Sequence, residues 1–231
     1  MPGSSAQIVS SDRIPVEEQG SLRISETFFS LQGESSLSGF PTTFIRLTGC
    51  PLRCSYCDSE YAFHGGERRR IIDLIDLAQH NQSPYVCVTG GEPLAQPQVH
   101  ALLTGLCDAQ CVVSLETSGA MAIDAVDSRV KVILDIKTPS SNESSRNRLE
   151  NLPQLKAKDE VKFVIANKRD FDFSRRFVEE ELNANPASIL FSPVYESLAP
   201  VQLAEWILAE KLNVRFQTQL HKTLWGDKAG V

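Results

Sequence analysis

From Phe44 onward, short apolar and β-branched runs alternate with segments whose apolar residues recur every three or four positions. The runs predict strands at Thr43–Leu47, Tyr85–Thr89, Cys111–Glu116, Lys131–Asp135, Val161–Ala166 and Ile189–Ser192. Helical spacing, as in Ile71, Leu74, Ile75 and Ala78, predicts helices over Arg69–His80, Gln98–Cys107, Phe173–Asn183 and Val201–Lys211. A shorter helix is expected near Met121–Val126, and an extended piece at Val214–Gln217. Near-continuous apolar strands separated by helices indicate a parallel sheet. About six such repeats, without evident duplication, are too few for a closed eight-stranded barrel. They predict an α/β fold of the open, partial (β/α)6 type.

In such folds chemistry gathers at the carboxyl ends of the strands. Cys50, Thr89, Gly90, Gly91, Glu116, Lys137, Ser192 and Gln217 then fall on one rim, although they are far apart in sequence. The first of them opens Cys50-Pro-Leu-Arg-Cys54-Ser-Tyr-Cys57. Three thiols at this spacing can ligate three irons of a cubane iron–sulfur cluster and leave the fourth iron open. An electron carrier would normally supply four thiolates. A structural zinc would want a fourth Cys or His nearby, and only His64 is near. An open iron is a place for a small molecule to bind and react.

Composition narrows the classes. At 231 residues the chain can bury a substantial core. Its net charge of −6 and 7% aromatic content give no support for nucleic-acid binding. No apolar run of about eighteen residues suggests a membrane span. Residues 1–22 read as a flexible polar tail without a secretory h-region, and residues 23–231 as one domain. Six cysteines in that setting point to a reducing cytoplasm. Cys87, Cys107 and Cys111 are expected in the core. Arg68-Arg69-Arg70 reads as a solvated helix start, His221 as structural, and Ser140–Arg148 as a mobile loop, conceivably a lid.

Directly after the Tyr85–Thr89 strand stands Gly90-Gly91-Glu92-Pro93, where two glycines let backbone amides and carbonyls approach a ligand. Together with the three-cysteine loop, this segment resembles the radical S-adenosylmethionine superfamily. Phe29-Ser30-Leu31-Gln32-Gly33-Glu34, Arg46-Leu47-Thr48-Gly49-Cys50 and Cys57-Asp58-Ser59 narrow the likeness. Leu115-Glu116-Thr117-Ser118-Gly119, Asp135-Ile136-Lys137 and Gln219-Leu220-His221-Lys222 extend it. From about Arg23 to the carboxyl terminus the chain is similar to the 7-carboxy-7-deazaguanine synthase family.

The resemblance implies a [4Fe-4S] cluster on Cys50, Cys54 and Cys57, S-adenosylmethionine on its open iron, and Mg²⁺. The reaction it implies begins with one-electron cleavage of S-adenosylmethionine and hydrogen abstraction from 6-carboxy-5,6,7,8-tetrahydropterin. Ring contraction and loss of ammonia then give 7-carboxy-7-deazaguanine, an intermediate of queuosine-type deazapurines. No side chain need be a general acid or base in the first step, because the cofactor carries that chemistry.

For the substrate the resemblance implies Leu31, Gln32, Gly33, Glu34, Arg46, Thr89 and the terminal Val231. Arg46 offers a forked cation to the substrate carboxylate. For S-adenosylmethionine it implies Tyr56, Asp58, Gly90, Gly91, Glu92, Glu116, Ser118, Asp135, Ile136, Lys137, Ser192 and Gln217. Ser59 stands where the family places a hydroxyl on magnesium, commonly a threonine. A flavodoxin- or ferredoxin-type electron donor and a homodimer are also implied. The competing readings are another radical enzyme, such as a glycyl-radical-enzyme activase, and a non-enzymatic iron–sulfur or zinc module.

Overall fold

The computed structural model of the chain describes residues 20–226, 228 and 230. Their strands are β1 (Ser21–Leu31), β2 (Pro41–Leu47), β3 (Glu67–Arg70), β4 (Tyr85–Gly90), β5 (Val112–Thr117), β6 (Lys131–Ile136), β7 (Glu160–Ile165), β8 (Ser188–Pro193) and β9 (Arg215–Phe216). They form one open sheet in the order β3-β1-β2-β4-β5-β6-β7-β8-β9. From β2 to β9 every neighbouring pair is parallel, while β1 is antiparallel to both β2 and β3. The helices are α1 (Ile71–His80), α2 (Val99–Asp108), α3 (Lys168–Glu181), α4 (Pro200–Ala209) and α5 (Leu220–Trp225).

Because side chains alternate faces along a strand, each parallel strand divides into two sets. Ile45 and Leu47, Val86 and Val88, Val113 and Leu115, Val132, Leu134 and Ile136, and Val161, Phe163 and Ile165 join the helices in one core. The opposite set, Phe44, Arg46, Thr89, Glu116, Ile133, Asp135, Lys162 and Val164, lines an interior cleft. An apolar run on the outer face thus carries a polar payload on the inner one. This is the open, mostly parallel α/β architecture that the repeats imply.

Four expectations change. Helix α1 starts at Ile71, and the preceding arginines lie in β3, with Leu22 opposite Arg69 and Arg23 opposite Arg68. Three arginines along an outermost strand discourage edge-to-edge pairing. Strand β1 begins at Ser21 and buries Leu22 completely, so the boundary expected after residue 22 falls inside a strand. Residues 121–126 are turns rather than a helix. There the Asn151 side chain takes the Ile123 N–H at 3.3 Å and donates to the Met121 carbonyl at 2.9 Å, groups a helix would need.

Finally, Ser140–Arg148 is pinned rather than loose. Asn147 accepts from the Lys137 N–H at 2.8 Å and donates to the Lys137 carbonyl at 2.9 Å. Asp170 accepts from the Ser140 N–H at 2.9 Å, and Glu143 from the Arg53 N–H in the cysteine loop at 2.6 Å. The segment braces that loop instead of covering it. Among the described residues no helix is long and apolar enough to cross a membrane.

Candidate active site

The three-cysteine loop leaves β2 through Gly49, whose φ of 98° suits glycine. Cys50, Cys54 and Cys57 are half-buried and line one cleft of about 300 Å³. Burial raises all three thiols, Cys54 to about 11; neighbouring thiol charge adds to this at Cys54 and Cys57 and Glu92 at Cys50, while Lys137 opposes it. Cationic iron would reverse that preference and draw the protons off. Among the described residues no three His, Cys, Asp or Glu side chains close around a single metal ion.

The Gly90-Gly91 segment faces this loop at the end of β4. A Cβ on Gly90, at φ 148°, would stand 2.3 Å from the Leu47 carbonyl oxygen, and one on Gly91 would stand 2.2 Å from that of Gly49. Only glycine lets the two loops touch. Glu92, expected at the cofactor, is fully buried behind the cleft. Its carboxylate accepts from the Leu94 N–H at 2.9 Å, the Thr117 hydroxyl at 2.9 Å and the Ser118 N–H at 2.7 Å. It ties the glycine turn to the end of β5, and Ser118 is held by it on the cleft wall.

The remaining expected residues sort by position. Leu31, Gln32, Gly33, Glu34, Arg46, Tyr56, Asp58, Ser59, Thr89, Glu116, Asp135 and Lys137 all line the cleft with the thiols. Ile136 does not: its side chain is fully buried among the helices, so only its backbone faces the rim. Ser192 lines an adjoining cavity of about 340 Å³ with Tyr56, Cys57, Asp58 and Tyr195. Gln217 lies outside both cavities, and its side-chain oxygen accepts from the Ser35 N–H at 2.9 Å. Val231 lies outside the described residues. Cys87 and Cys107 are buried as expected, and Cys111 packs against the core.

Charge inside the cleft is paired but incomplete. Lys162 meets Glu34 at 2.6 Å and Asp135 at 3.8 Å, and Lys137 meets Asp135 at 3.1 Å. Burial raises the Glu34 carboxyl, but the Lys162 ammonium with hydrogen bonds from Lys162 and Gln219 outweighs it, so Glu34 stays ionised. Glu116 goes the other way: burial first, then the Glu34 charge, pushes it up. Its carboxyl also accepts from the Thr89 hydroxyl at 2.9 Å. The Gln32 amide nitrogen and Asp135 Oδ1 are buried without hydrogen-bond partners, which is where a polar ligand would be expected.

At the rim Ser59 donates to Asp58 at 2.8 Å, which leaves its lone pairs available to a hard cation. Gln219 donates to both Glu34 (2.9 Å) and Asp58 (3.2 Å). The Leu220 N–H donates to the Gly33 carbonyl at 3.0 Å, and a Cβ on Gly33 would strike His221 at 2.3 Å. The carboxyl-terminal segment thus closes on the Gln32-Gly33-Glu34 loop. His221, read as structural, lines the cleft. Glu26, Tyr61 and Lys162 are cleft residues that no motif singled out, and Gln219, part of a motif, was given no site role. For Lys162 a signal existed: a cation set among Val161, Phe163, Val164 and Ile165 of a strand.

The model of the radical SAM superfamily matches residues 44–169. The 7-carboxy-7-deazaguanine synthase of Chlorobaculum tepidum is 42% identical over 211 residues, covering 90% of this chain and 96% of that protein. The namesake in Koribacter versatilis is 39% identical, covering 88% and 97%. Among solved structures, QueE from Escherichia coli superimposes with a TM-score of 0.72 at 22% identity, covering 86% of this chain and 94% of that one. Streptococcus suis SuiB bound to S-adenosylmethionine gives 0.54 at 14% identity, covering 73% and 48%, a likeness of fold. By sequence and fold together, the chain belongs to the 7-carboxy-7-deazaguanine synthase family of radical SAM enzymes.

Proposed function

We propose that the chain converts 6-carboxy-5,6,7,8-tetrahydropterin to 7-carboxy-7-deazaguanine with loss of ammonia. The observation that carries this reading is the donor–acceptor pattern opposite the thiols. The buried Gln32 amide nitrogen is a donor in want of an acceptor. Glu34 offers four lone-pair sites, two of them taken by Lys162 and Gln219. One donor beside two acceptors complements the 4-oxo, N3–H and 2-amino edge of a pterin. Arg46, with its Nε held by Glu26, keeps its terminal nitrogens for a carboxylate.

On this reading the thiols of Cys50, Cys54 and Cys57 hold the cluster. Gly90, Gly91, Ser118, Asp135 and Lys137 would bind S-adenosylmethionine, with Tyr56 beside its adenine. Together the two bound groups supply the one-electron start to hydrogen abstraction from the carboxylate-bearing carbon. The protein's task is to hold that carbon in place and exclude water. Ser59, oriented by Asp58, would give magnesium its protein ligand. The flavodoxin- or ferredoxin-type donor, the homodimer and a reducing cytoplasm complete the proposal, and six free thiols fit that compartment.

Anaerobic incubation of the reduced, cluster-loaded protein with S-adenosylmethionine, Mg²⁺ and the carboxy-pterin tests it. The expected result is 7-carboxy-7-deazaguanine with ammonia released. Cleavage of S-adenosylmethionine without that product would overturn the assignment in favour of a different radical enzyme, such as an activase.

A further inference from the structure

We propose that Lys162 is a positioning residue that holds Glu34 as the anion recognising the substrate's amide–amino edge. This rests on the function proposed above and names what makes that edge selective. Lys162 projects from β7 into the cleft with only 13% of its side chain exposed, and its ammonium lies 2.6 Å from Glu34 Oε2. No other ion pair reaches Glu34 among the described residues. Around it stand three further carboxylates, Glu116 on β5, Asp135 on β6 and Asp58 in the cysteine loop, together with Arg46 on β2 and His221 on α5. With Glu26, which Arg46 pairs, five acids share one cleft and cannot all remain ionised without resident cations.

Lys162 is therefore placed to keep Glu34, rather than its neighbour Glu116, as the anion. Its direct contact goes to Glu34, whereas Asp135 lies 3.8 Å away and has Lys137 at 3.1 Å. An ionised Glu34 accepts two N–H groups and rejects a ring that presents a carbonyl there. A protonated Glu34 would carry a donor and lose that discrimination. Lys162 thus selects a 2-amino-4-oxo ring over its 2,4-dioxo counterpart without touching either.

Direct anaerobic binding of the carboxy-pterin to cluster-loaded protein, followed by titration calorimetry, tests this. Lys162→Met should weaken binding at least about 10-fold near neutral pH. Affinity should recover as pH rises, because binding then waits on ionisation of Glu34, whereas the wild type stays flat between about pH 6 and 9. Lys162→Arg should restore most of the affinity. The wild type should also disfavour the 2,4-dioxo analogue, and Lys162→Met should narrow that preference. Wild-type affinity for Lys162→Met across this range would overturn the role. A wild type that does not bind the carboxy-pterin would instead overturn the proposed function, and this role with it. Should Lys162→Met fail to load its cluster, Lys162→Met in Glu34→Gln is compared with Glu34→Gln alone. Equal affinity is expected, and a further loss would overturn the role.

Discussion

Arg46 and Glu26 face each other across the antiparallel β1–β2 pair, with Arg46 Nε 2.7 Å from Glu26 Oε1. Tyr61 donates to the same Glu26 oxygen at 2.8 Å, and the guanidinium carbon sits 6.0 Å from the Phe28 ring and 5.9 Å from the Tyr61 ring. The cation is fixed on three sides before any ligand arrives. Such preorganisation lowers the entropy cost of gripping a carboxylate.

Arg46→Lys should therefore raise the substrate KM about 10-fold or more, because an ammonium cannot reproduce the fork. Glu26→Gln should cost less, since it loosens the guanidinium without removing it. Steady-state kinetics on both variants checks the order. Wild-type kinetics for Arg46→Lys would return Arg46 to a purely structural role.

Glu92 should be needed for folding more than for binding. Glu92→Gln turns one carboxylate oxygen into an amide N–H₂, which faces the Leu94 N–H in place of Oε1 or the Ser118 N–H in place of Oε2, inside a fully buried site. Leaving such groups unmatched costs about 1–3 kcal/mol. Denaturant unfolding of the variant should show a loss of that size. Unchanged stability would contradict the anchoring role.

Gly91→Ala should disturb the cysteine loop, since the new methyl would lie 2.2 Å from the Gly49 carbonyl oxygen and 3.0 Å from Cys50 Cβ. The expected outcome is a lower cluster content after reconstitution, read by iron analysis and visible absorbance. Full cluster loading with normal turnover would show that the two loops tolerate separation.

The raised Glu116 carboxyl makes a prediction about stability against pH. Its folded-state pKa lies above its unfolded value, so the protonated form favours folding. That contribution is complete below the unfolded pKa and is lost as pH rises through the folded one. Glu116→Gln, which fixes the neutral form, should gain stability relative to wild type as pH rises from about 4 to 8. Thermal unfolding across that range checks it, and a difference that does not change with pH would contradict it.

Ser59→Ala should weaken the dependence of turnover on Mg²⁺ while leaving the cluster absorbance unchanged. The hydroxyl whose proton is engaged by Asp58 is then gone, and the ion loses its protein oxygen. Unchanged metal dependence would remove Ser59 from the site.

Much of this was legible in the sequence because apolar runs mark the parallel strands, and the thiols and glycines sit just beyond two of them. Strand β1 was hidden because it is mostly half-buried and rich in Ser, Glu and Thr, with only Leu22 and Ile24 buried. Strand β3 was hidden because its four charged residues carry no strand pattern, and it exists by pairing with β1. Ile136 was grouped with its neighbours because the two faces of a strand were not separated. Asp135 and Lys137 point inward, and Ile136 between them points out. Lys162 escaped notice, and Gln219 was quoted without a role, because their meaning lies in Glu34, which is 128 and 185 residues away in the chain.

The central claim is that this cleft places the carboxylate-bearing carbon of the pterin against S-adenosylmethionine on the open iron. Substrate carrying deuterium at that carbon tests it most directly, with S-adenosylmethionine and 5′-deoxyadenosine recovered after anaerobic turnover and analysed by mass spectrometry. Loss of ammonia is redox-neutral, so the abstracted hydrogen is returned during turnover, and the account predicts deuterium at the 5′ carbon of recovered S-adenosylmethionine and of any 5′-deoxyadenosine released alongside 7-carboxy-7-deazaguanine. Product formed with no deuterium transferred would contradict it.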